Sequence, residues 1–103
     1  MASISIVIPT YNERDNVVLL VQQIVKLLPD STILIVDDNS PDGTANVLRN
    51  LKIPNLTVFV RNDRGLGSAL RYGIKKALEL ETEFIVTMAV SYTHLTLPTK
   101  RIV

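Results

Sequence analysis

The chain has 103 residues, of which 47% are hydrophobic and 20% charged, and its formal net charge is +1. This length suffices for one compact domain or part of one, and the composition is typical of a globular protein. The small charge provides no basic field for nucleic acid, so we expect no nucleic-acid partner, and the lack of cysteine excludes disulfides and thiolate metal sites.

Short apolar runs alternate with helical patterns along the chain, which is typical of βαβ units and a mostly parallel sheet. The first strand is predicted over Ile4 to Ile8 and ends at Pro9, because proline has no N–H for a central ladder. A helix follows, with Asp15 or Asn16 as its N-cap and Pro29 at its end. The sheet-facing residues predicted for this helix are Val17, Leu20, Val21, Ile24, Val25 and Leu28.

The same alternation continues to residue 88. The remaining predicted elements are a strand over Thr32 to Val36, a short helix from the turn Asp42-Gly43-Thr44 to about Leu51, a strand over Leu56 to Val60, a helix from about Ser68 to Glu81, and a strand over Phe84 to Met88. The inner face predicted for the last helix consists of Leu70, Ile74, Ala77 and Leu78. We therefore predict an α/β fold with a mostly parallel sheet of about four strands.

The last residues break this pattern. From Val90 to Val103 the sequence has neither helical nor strand periodicity, and the stretch from Val90 to Thr99 resembles the translation of a sequencing-library adaptor. We therefore predict a native domain over residues 1–88 and a non-native tail over residues 89–103, with a natural but divergent terminus as the alternative. His94 lies in this tail and receives no functional role.

A turn with several polar groups follows the first strand. It reads Pro9-Thr10-Tyr11-Asn12-Glu13 and combines an aromatic face, an amide and a carboxylate. Such a set can stack on a base and hydrogen-bond to a nucleoside at the carboxyl end of a parallel strand, where open α/β sheets bind ligands. The alternative is a structural loop, with Tyr11 packed on its neighbours and Glu13 stabilising the first helical turn.

Two consecutive acids, Asp37 and Asp38, follow the second strand. Side chains alternate along a strand, so one acid can face a ligand while the other braces the loop. We interpret Asp38 as a ligand-binding residue, because two acids are more than one turn requires. For Asn39 and Asp42 we favour a local role, in which they satisfy turn and N-cap amides.

A glycine-containing loop, Gly65-Leu66-Gly67, precedes the last predicted helix and is flanked by Arg61 and Arg64. Backbone amides and a positive charge at a helix N-terminus can bind phosphate. The spacing lacks the third glycine of a dinucleotide fingerprint and the Gly-Lys-Ser/Thr of a P-loop. We therefore interpret these residues as packing and solvated charge.

These motifs together resemble the family-2 glycosyltransferases of GT-A fold, most closely the dolichol-phosphate or polyprenol-phosphate mannosyltransferases. The resemblance extends over residues 4 to 88. Its motifs are the segments Pro9 to Asn16, Val36 to Thr44, and Arg64 to Ala69 with Gly73. It implies that the chain is the Rossmann-like, three-layer, nucleotide-binding half of such an enzyme, truncated before the second half.

The resemblance also implies a set of donor-binding residues. These are Pro9, Tyr11, Glu13, Val36 and Asp38, which would bind the nucleotide of a nucleotide-sugar donor, with GDP-mannose as the expected donor. The acceptor would be a polyprenyl or dolichyl phosphate, to which the sugar is transferred with inversion. The parent protein would then act in protein glycosylation, in the cytoplasm, as a peripheral protein at the cytoplasmic face of a membrane.

In the family, the fourth strand continues into an Asp-x-Asp motif that holds Mg²⁺ or Mn²⁺ on the donor diphosphate. In this sequence Thr87-Met88 is followed by Ala89-Val90, and neither side chain can ligate a hard cation. We therefore assign no catalytic residue and no metal ligand within the chain, and expect the chain itself to be inactive.

Two other classes compete with this interpretation. The run Ile33 to Asp38 also resembles the acidic strand end of a two-component receiver domain that is phosphorylated on Asp. That motif normally lies on the first strand, however, and requires an acid at the end of a later strand, where Met88-Ala89 stands here. A Rossmann-type binding module is the third alternative, and the missing glycine fingerprint disfavours it.

Overall fold

The computed structural model describes residues 3–63 and 65–90, which form a parallel sheet with helices on both faces. The strands lie in the order β3-β2-β1-β4, and each neighbouring pair is parallel. The elements are β1 (Ile4–Thr10), α1 (Arg14–Leu27), β2 (Thr32–Asp37), α2 (Thr44–Asn50), β3 (Leu56–Val60), α3 (Leu66–Glu79) and β4 (Phe84–Thr87). The predicted α/β fold with a four-stranded parallel sheet is confirmed. Arg64 and the predicted tail from residue 91 onward, with His94, lie outside the described residues.

The two faces of the sheet bury alternate residues of each strand, as the pleat requires. Helices α1 and α2 cover one face and α3 covers the other, which gives the expected three layers. The first face consists mainly of Ile6, Ile8, Ile33, Ile35, Val58 and Val86, packed against Val17, Leu20, Val21, Ile24 and Leu48 of the helices. The second face contains Val7 and Leu34, packed against Ala77.

Helix α3 approaches the sheet through small residues. Ala69, Gly73 and Ala77 are buried, and their spacing of four residues puts them on one face. A β-carbon at Gly73 would clash with Val7 Cγ1 and lie 3.1 Å from Val36 Cγ2, so the helix backbone lies directly on β1 and β2. The prediction that Leu78 faces the sheet is wrong: it is 62% exposed, whereas the neighbouring Ala77 is fully buried and faces the sheet.

The prediction that Pro9 ends the first strand is also wrong, since β1 continues to Thr10. The Val7 carbonyl accepts a hydrogen bond from Met88 N on the β4 side, whereas the Thr10 carbonyl accepts from Asp38 N on the β2 side. By alternation, the Pro9 nitrogen faces the β4 side, where β4 has already ended at Thr87. The missing N–H therefore removes no ladder bond.

The first helix begins earlier than predicted. Glu13 is its N-cap, with its carbonyl accepting from Val17 N at 2.9 Å, in place of the predicted Asp15 or Asn16. At the other end, Leu28 lies beyond the helix and is exposed, so it is not part of the buried face. Within residues 3–63 and 65–90, none of the helices has the length and apolar composition needed to cross a bilayer.

Candidate functional site: a crevice at the carboxyl ends of β1 and β2

A crevice opens where β1 and β2 end side by side. Thr10 pairs with Asp37 in the sheet register, and Asp38 N donates to the Thr10 carbonyl at 3.2 Å. A cavity of about 230 Å³ lies at this edge. It is lined by Pro9, Thr10, Tyr11, Glu13 and Asp38 on one side and by Gly65, Leu66 and Ala69 of the α3 start on the other.

The structure thus brings together four of the five residues predicted to bind nucleotide, namely Pro9, Tyr11, Glu13 and Asp38. Val36, the fifth, is fully buried beneath α3, and its side chain does not line the cavity. The binding role of all five stays a prediction.

A second, more open cavity of about 490 Å³ adjoins the first. Tyr11 and Asp38 line both cavities, and Asn39, Asn62 and Asp63 line only the second. Asn39 takes a positive φ of 56°, as its predicted turn role requires, and its Nδ2 donates to Asn62 Oδ1 at 3.2 Å. Sequence reasoning did not single out Asn62 or Asp63.

Asp37 is a buried residue that holds the loops around the crevice together. It is 1% exposed, and its carboxylate accepts from Thr10 Oγ1 at 2.7 Å, Ser40 N at 2.8 Å and Ser40 Oγ at 2.5 Å. Asn12 N donates to Ser40 Oγ at 2.9 Å, so the loops after β1 and β2 are joined. Asp37 and Asp38 therefore divide their roles, with Asp37 holding the loops and Asp38 lining the cavities.

Asp42 joins the same two loops at their outer end. Its carboxylate accepts from Thr44 N at 3.1 Å and from Arg14 N at 3.1 Å, and Arg14 Nη1 donates to the Asp42 carbonyl at 3.1 Å. Partial burial opposes the charged form, but the hydrogen bonds from Thr44 and Arg14 outweigh it and hold the pKa of Asp42 below its ordinary value. The predicted turn role of Asp42 is confirmed.

Arg61 is the residue that sequence reasoning misjudged. Its Nε donates to Asp38 Oδ1 at 2.9 Å, and its side chain is only 12% exposed, so the interpretation as solvated charge is wrong. Asp37 pairs with Val60 in the register of β2 and β3, which puts Asp38 beside Arg61. An acid and a base that directly follow two neighbouring strands predict such an ion pair, provided that the pairing of the strands is known.

The family model described as "Glycosyl transferase family 2" matches residues 5–88 of the chain. The chain belongs to glycosyl transferase family 2. This membership covers both strands that build the crevice, and the receiver-domain alternative is not supported. The family and the fold expected from the sequence motifs are confirmed.

Two relatives of this family member are named as a mannose synthase and a mannosyltransferase. It is 36% identical over 93 residues to polyprenol monophosphomannose synthase of Mycolicibacterium smegmatis, covering 86% of this chain and 35% of that protein. It is 35% identical over 91 residues to undecaprenyl-phosphate mannosyltransferase of Micrococcus luteus, covering 85% of this chain and 37% of that protein. The chain therefore spans a little over a third of the length of these two relatives.

A solved structure shares the fold of the glycosyltransferase chain. It is the mannosyltransferase PcManGT from Pyrobaculum calidifontis in complex with GDP-Man and Mn²⁺. The TM-score is 0.73 at 24% sequence identity, and the alignment covers 84% of this chain and 26% of that one. At this identity the likeness concerns the fold alone.

The residues after β4 do not fit a divalent cation. Met88, Ala89 and Val90 follow Thr87 and offer no carboxylate, which Mg²⁺ and Mn²⁺ prefer. Among residues 3–63 and 65–90, no group of three or more His, Asp or Glu side chains is placed to hold a metal.

Glu13 carries an unsatisfied acceptor at the cavity. Its Oε2 is buried and has no hydrogen-bond partner within the described part of the chain. Burial raises the pKa of Glu13 above its ordinary value, the charge of Asp42 adds to this, and a hydrogen bond with Asn16 opposes it. A ligand hydroxyl that donated to Oε2 would satisfy this oxygen.

We predict that Glu13→Gln stabilises the glycosyltransferase chain at pH 7. A raised pKa in the folded state means that Glu13 contributes stability below its unfolded pKa and loses it as pH rises through the folded value. Glutamine never ionises, so the gain over the unaltered chain should grow with pH and vanish below the unfolded pKa of about 4.3. Thermal melts followed by circular dichroism at several pH values measure this difference, and a pH-independent difference would contradict it.

Proposed function

We propose that the crevice binds the nucleoside part of a nucleotide-sugar donor. The observation that carries this proposal is the cavity of about 230 Å³ at the strand ends, which is lined by Tyr11, Glu13 and Asp38 together. This is the position at which open α/β sheets bind ligands. The family membership of the chain supports the same conclusion.

Each of the three side chains matches one feature of a nucleoside. The Tyr11 ring offers an aromatic face for a base, and Leu66, which also lines the cavity, offers an apolar surface. The Asp38 carboxylate accepts hydrogen bonds from base N–H groups, and Glu13 Oε2 accepts one from a ribose hydroxyl. Stacking and two acceptors thus recognise base and sugar separately.

For the whole protein, the proposal extends to mannose transfer from GDP-mannose to a polyprenyl phosphate. The names of the two relatives support the lipid phosphate and the mannosyl group, and the GDP-Man bound in the related structure supports GDP-mannose as donor. An acceptor phosphate has a second pKa of about 6 and is largely ionised at neutral pH, so it attacks the anomeric carbon with little help from a general base. The bond between that carbon and the diphosphate oxygen breaks, GDP leaves, and the displacement inverts the configuration at that carbon.

The site of action and the metal are further parts of this proposal. A polyprenyl acceptor is a lipid, which favours peripheral association with a membrane; the cytoplasmic face and a role in protein glycosylation are proposed on the resemblance of the sequence motifs alone. The Mn²⁺ in the related structure supports a divalent metal in the intact protein, although the described residues do not fit one. We therefore expect the 103-residue chain to bind nucleotide without transferring sugar.

We predict that Asp38→Asn weakens nucleotide binding by about tenfold or more, because a charge-assisted hydrogen bond to the base is lost. Isothermal titration calorimetry of the 103-residue chain with GDP, GDP-mannose and UDP measures the effect. Asp30→Asn is the matched control, since Asp30 is exposed and lies outside both cavities. Equal affinity of the Asp38 variant and the unaltered chain would contradict the proposed pocket.

A further inference from the structure

Arg61 is held at the carboxyl end of β3 by contacts to two neighbouring elements, β2 and α3. Its backbone N–H donates to the Asp37 carbonyl at 2.8 Å, which continues the β2–β3 ladder by one residue. Its Nη1 donates to Ser68 Oγ at 2.7 Å in the first turn of α3. Its guanidinium also lies 5.8 Å from the centre of the Tyr72 ring. A planar guanidinium held on two sides in this way has little freedom to reorient.

Arg61 also contacts two carboxylates: its Nη1 lies 3.7 Å from Oδ2 of the exposed Asp63, and its shorter contacts are to one oxygen of Asp38. Nε and Nη2 both lie 2.9 Å from Oδ1, and the two side chains are 12% and 8% exposed. None of the described residues donates a hydrogen bond to Oδ2. One carboxylate oxygen is therefore fixed by arginine, while the other is left as an acceptor on a residue that lines both cavities.

The positive charge of Arg61 also stabilises the buried carboxylate of Asp38. A carboxylate with so little exposure is costly to bury unless a cation is paired with it. Arg61 provides that cation without lining either cavity, so a bound nucleotide would meet Asp38 and not Arg61. The influence of Arg61 on a ligand is then exerted through the orientation and charge of Asp38.

We propose that Arg61 is the positioning residue that sets the base preference of the nucleotide site, by holding Asp38 Oδ1 and directing Oδ2 to the base. This inference rests on the proposed nucleotide-binding function and deepens it. A residue that the ligand does not contact would thus control which base is accepted.

The test compares the 103-residue chain with its Arg61→Met variant in calorimetric titrations with GDP, UDP and ADP. Methionine keeps an apolar stem but removes the charge and all donors. We expect the affinity for the preferred nucleotide to fall about tenfold or more, and the affinity ratio between preferred and other nucleotides to fall towards one. The ratio is decisive, because a merely structural role would lower all three affinities alike.

Two further variants and a control complete the experiment. Arg61→Lys keeps the charge and, we expect, the fold, but loses most of the base preference because an ammonium cannot replace the planar fork. Asp38→Asn combined with Arg61→Met should bind no more weakly than Asp38→Asn alone, since both act through one group. Arg49→Met is the control: Arg49 Nη2 donates to the Val58 carbonyl at 3.1 Å, outside both cavities, and its loss should leave the ratio unchanged.

The outcomes separate this inference from the proposed function. If the Arg61 variants keep the base preference of the unaltered chain, or if that chain binds all three nucleotides equally, the inference is overturned while nucleotide binding stands. If the unaltered chain binds none of the three, the proposed function fails and the inference fails with it.

Discussion

Replacing Asp37 by alanine is expected to lower the free energy of unfolding by about 3 kcal/mol, because three hydrogen bonds in a buried site lose their acceptor. The Ser40 N–H is fixed by the backbone and cannot turn to another partner. For a domain with a typical stability of about 5–15 kcal/mol, this is a large fraction of the total. Urea denaturation followed by circular dichroism measures the loss.

A second substitution at Asp37 and a control at Asp30 test the same structural role. Asp37→Asn should destabilise the fold less than Asp37→Ala, because the amide oxygen can still accept from the Ser40 N–H while the N–H₂ group faces the Thr10 and Ser40 hydroxyls, which can accept. Asp30→Ala, which removes an exposed acid, should change stability by less than about 0.5 kcal/mol. An Asp37→Ala variant as stable as the Asp30→Ala control would contradict the bracing role of Asp37.

Substitution of Gly73 by alanine should destabilise the chain by about 2 kcal/mol, which corresponds to a fall of roughly 10 °C in the melting temperature. The added methyl group meets Val7, a fully buried β-branched residue on a central strand that cannot move aside without shifting the sheet. The better helix propensity of alanine returns only about 0.5–1 kcal/mol. Thermal melts of the two proteins give the difference.

Gly67 supplies the matched control in the same helix. A β-carbon there would lie 3.5 Å from Arg71 Nη1, an ordinary contact, so Gly67→Ala should be neutral or slightly stabilising. A Gly73→Ala variant that melts at or above the Gly67→Ala variant would show that α3 does not lie as close to β1 as its backbone indicates.

The sequence predicted the strands better than the faces of the helices. The apolar run Ile33 to Val36 identifies a strand buried on both sides, because it is short, rich in β-branched residues and followed by acids and turn formers. The inner face of α3 was misassigned at Leu78, since periodicity reports hydrophobicity and not the distance between helix and sheet. That distance is set by Gly73, whose lack of a side chain carries no hydrophobic signal. The end of β1 was misplaced because the effect of Pro9 depends on how far β4 extends beside it.

For the candidate site, the family resemblance implied the five donor-binding residues, and the rule that ligands bind at strand carboxyl ends explains why Tyr11, Glu13 and Asp38 lie at one crevice. Without the resemblance, that rule left a structural role open for Tyr11 and Glu13. It could not identify Arg61, because the contact with Asp38 depends on the pairing of β2 with β3, which single-sequence patterns do not specify. The predicted tail over residues 89–103 stays a prediction, and resequencing the source DNA beyond the Met88 codon tests it.

The hydrogen bonds between the loops after β1 and β2 lower the entropy cost of binding a ligand at the crevice. Three hydrogen bonds connect residues 10–14 with residues 37–42: Thr10 donates to Asp37, Asn12 donates to Ser40 and Arg14 donates to Asp42. The conformational entropy of these loops is therefore lost when the chain folds and not when a ligand arrives. A nucleotide would therefore bind to loops that are already ordered. Less of the free energy of its contacts would be offset by the entropy cost of ordering those loops.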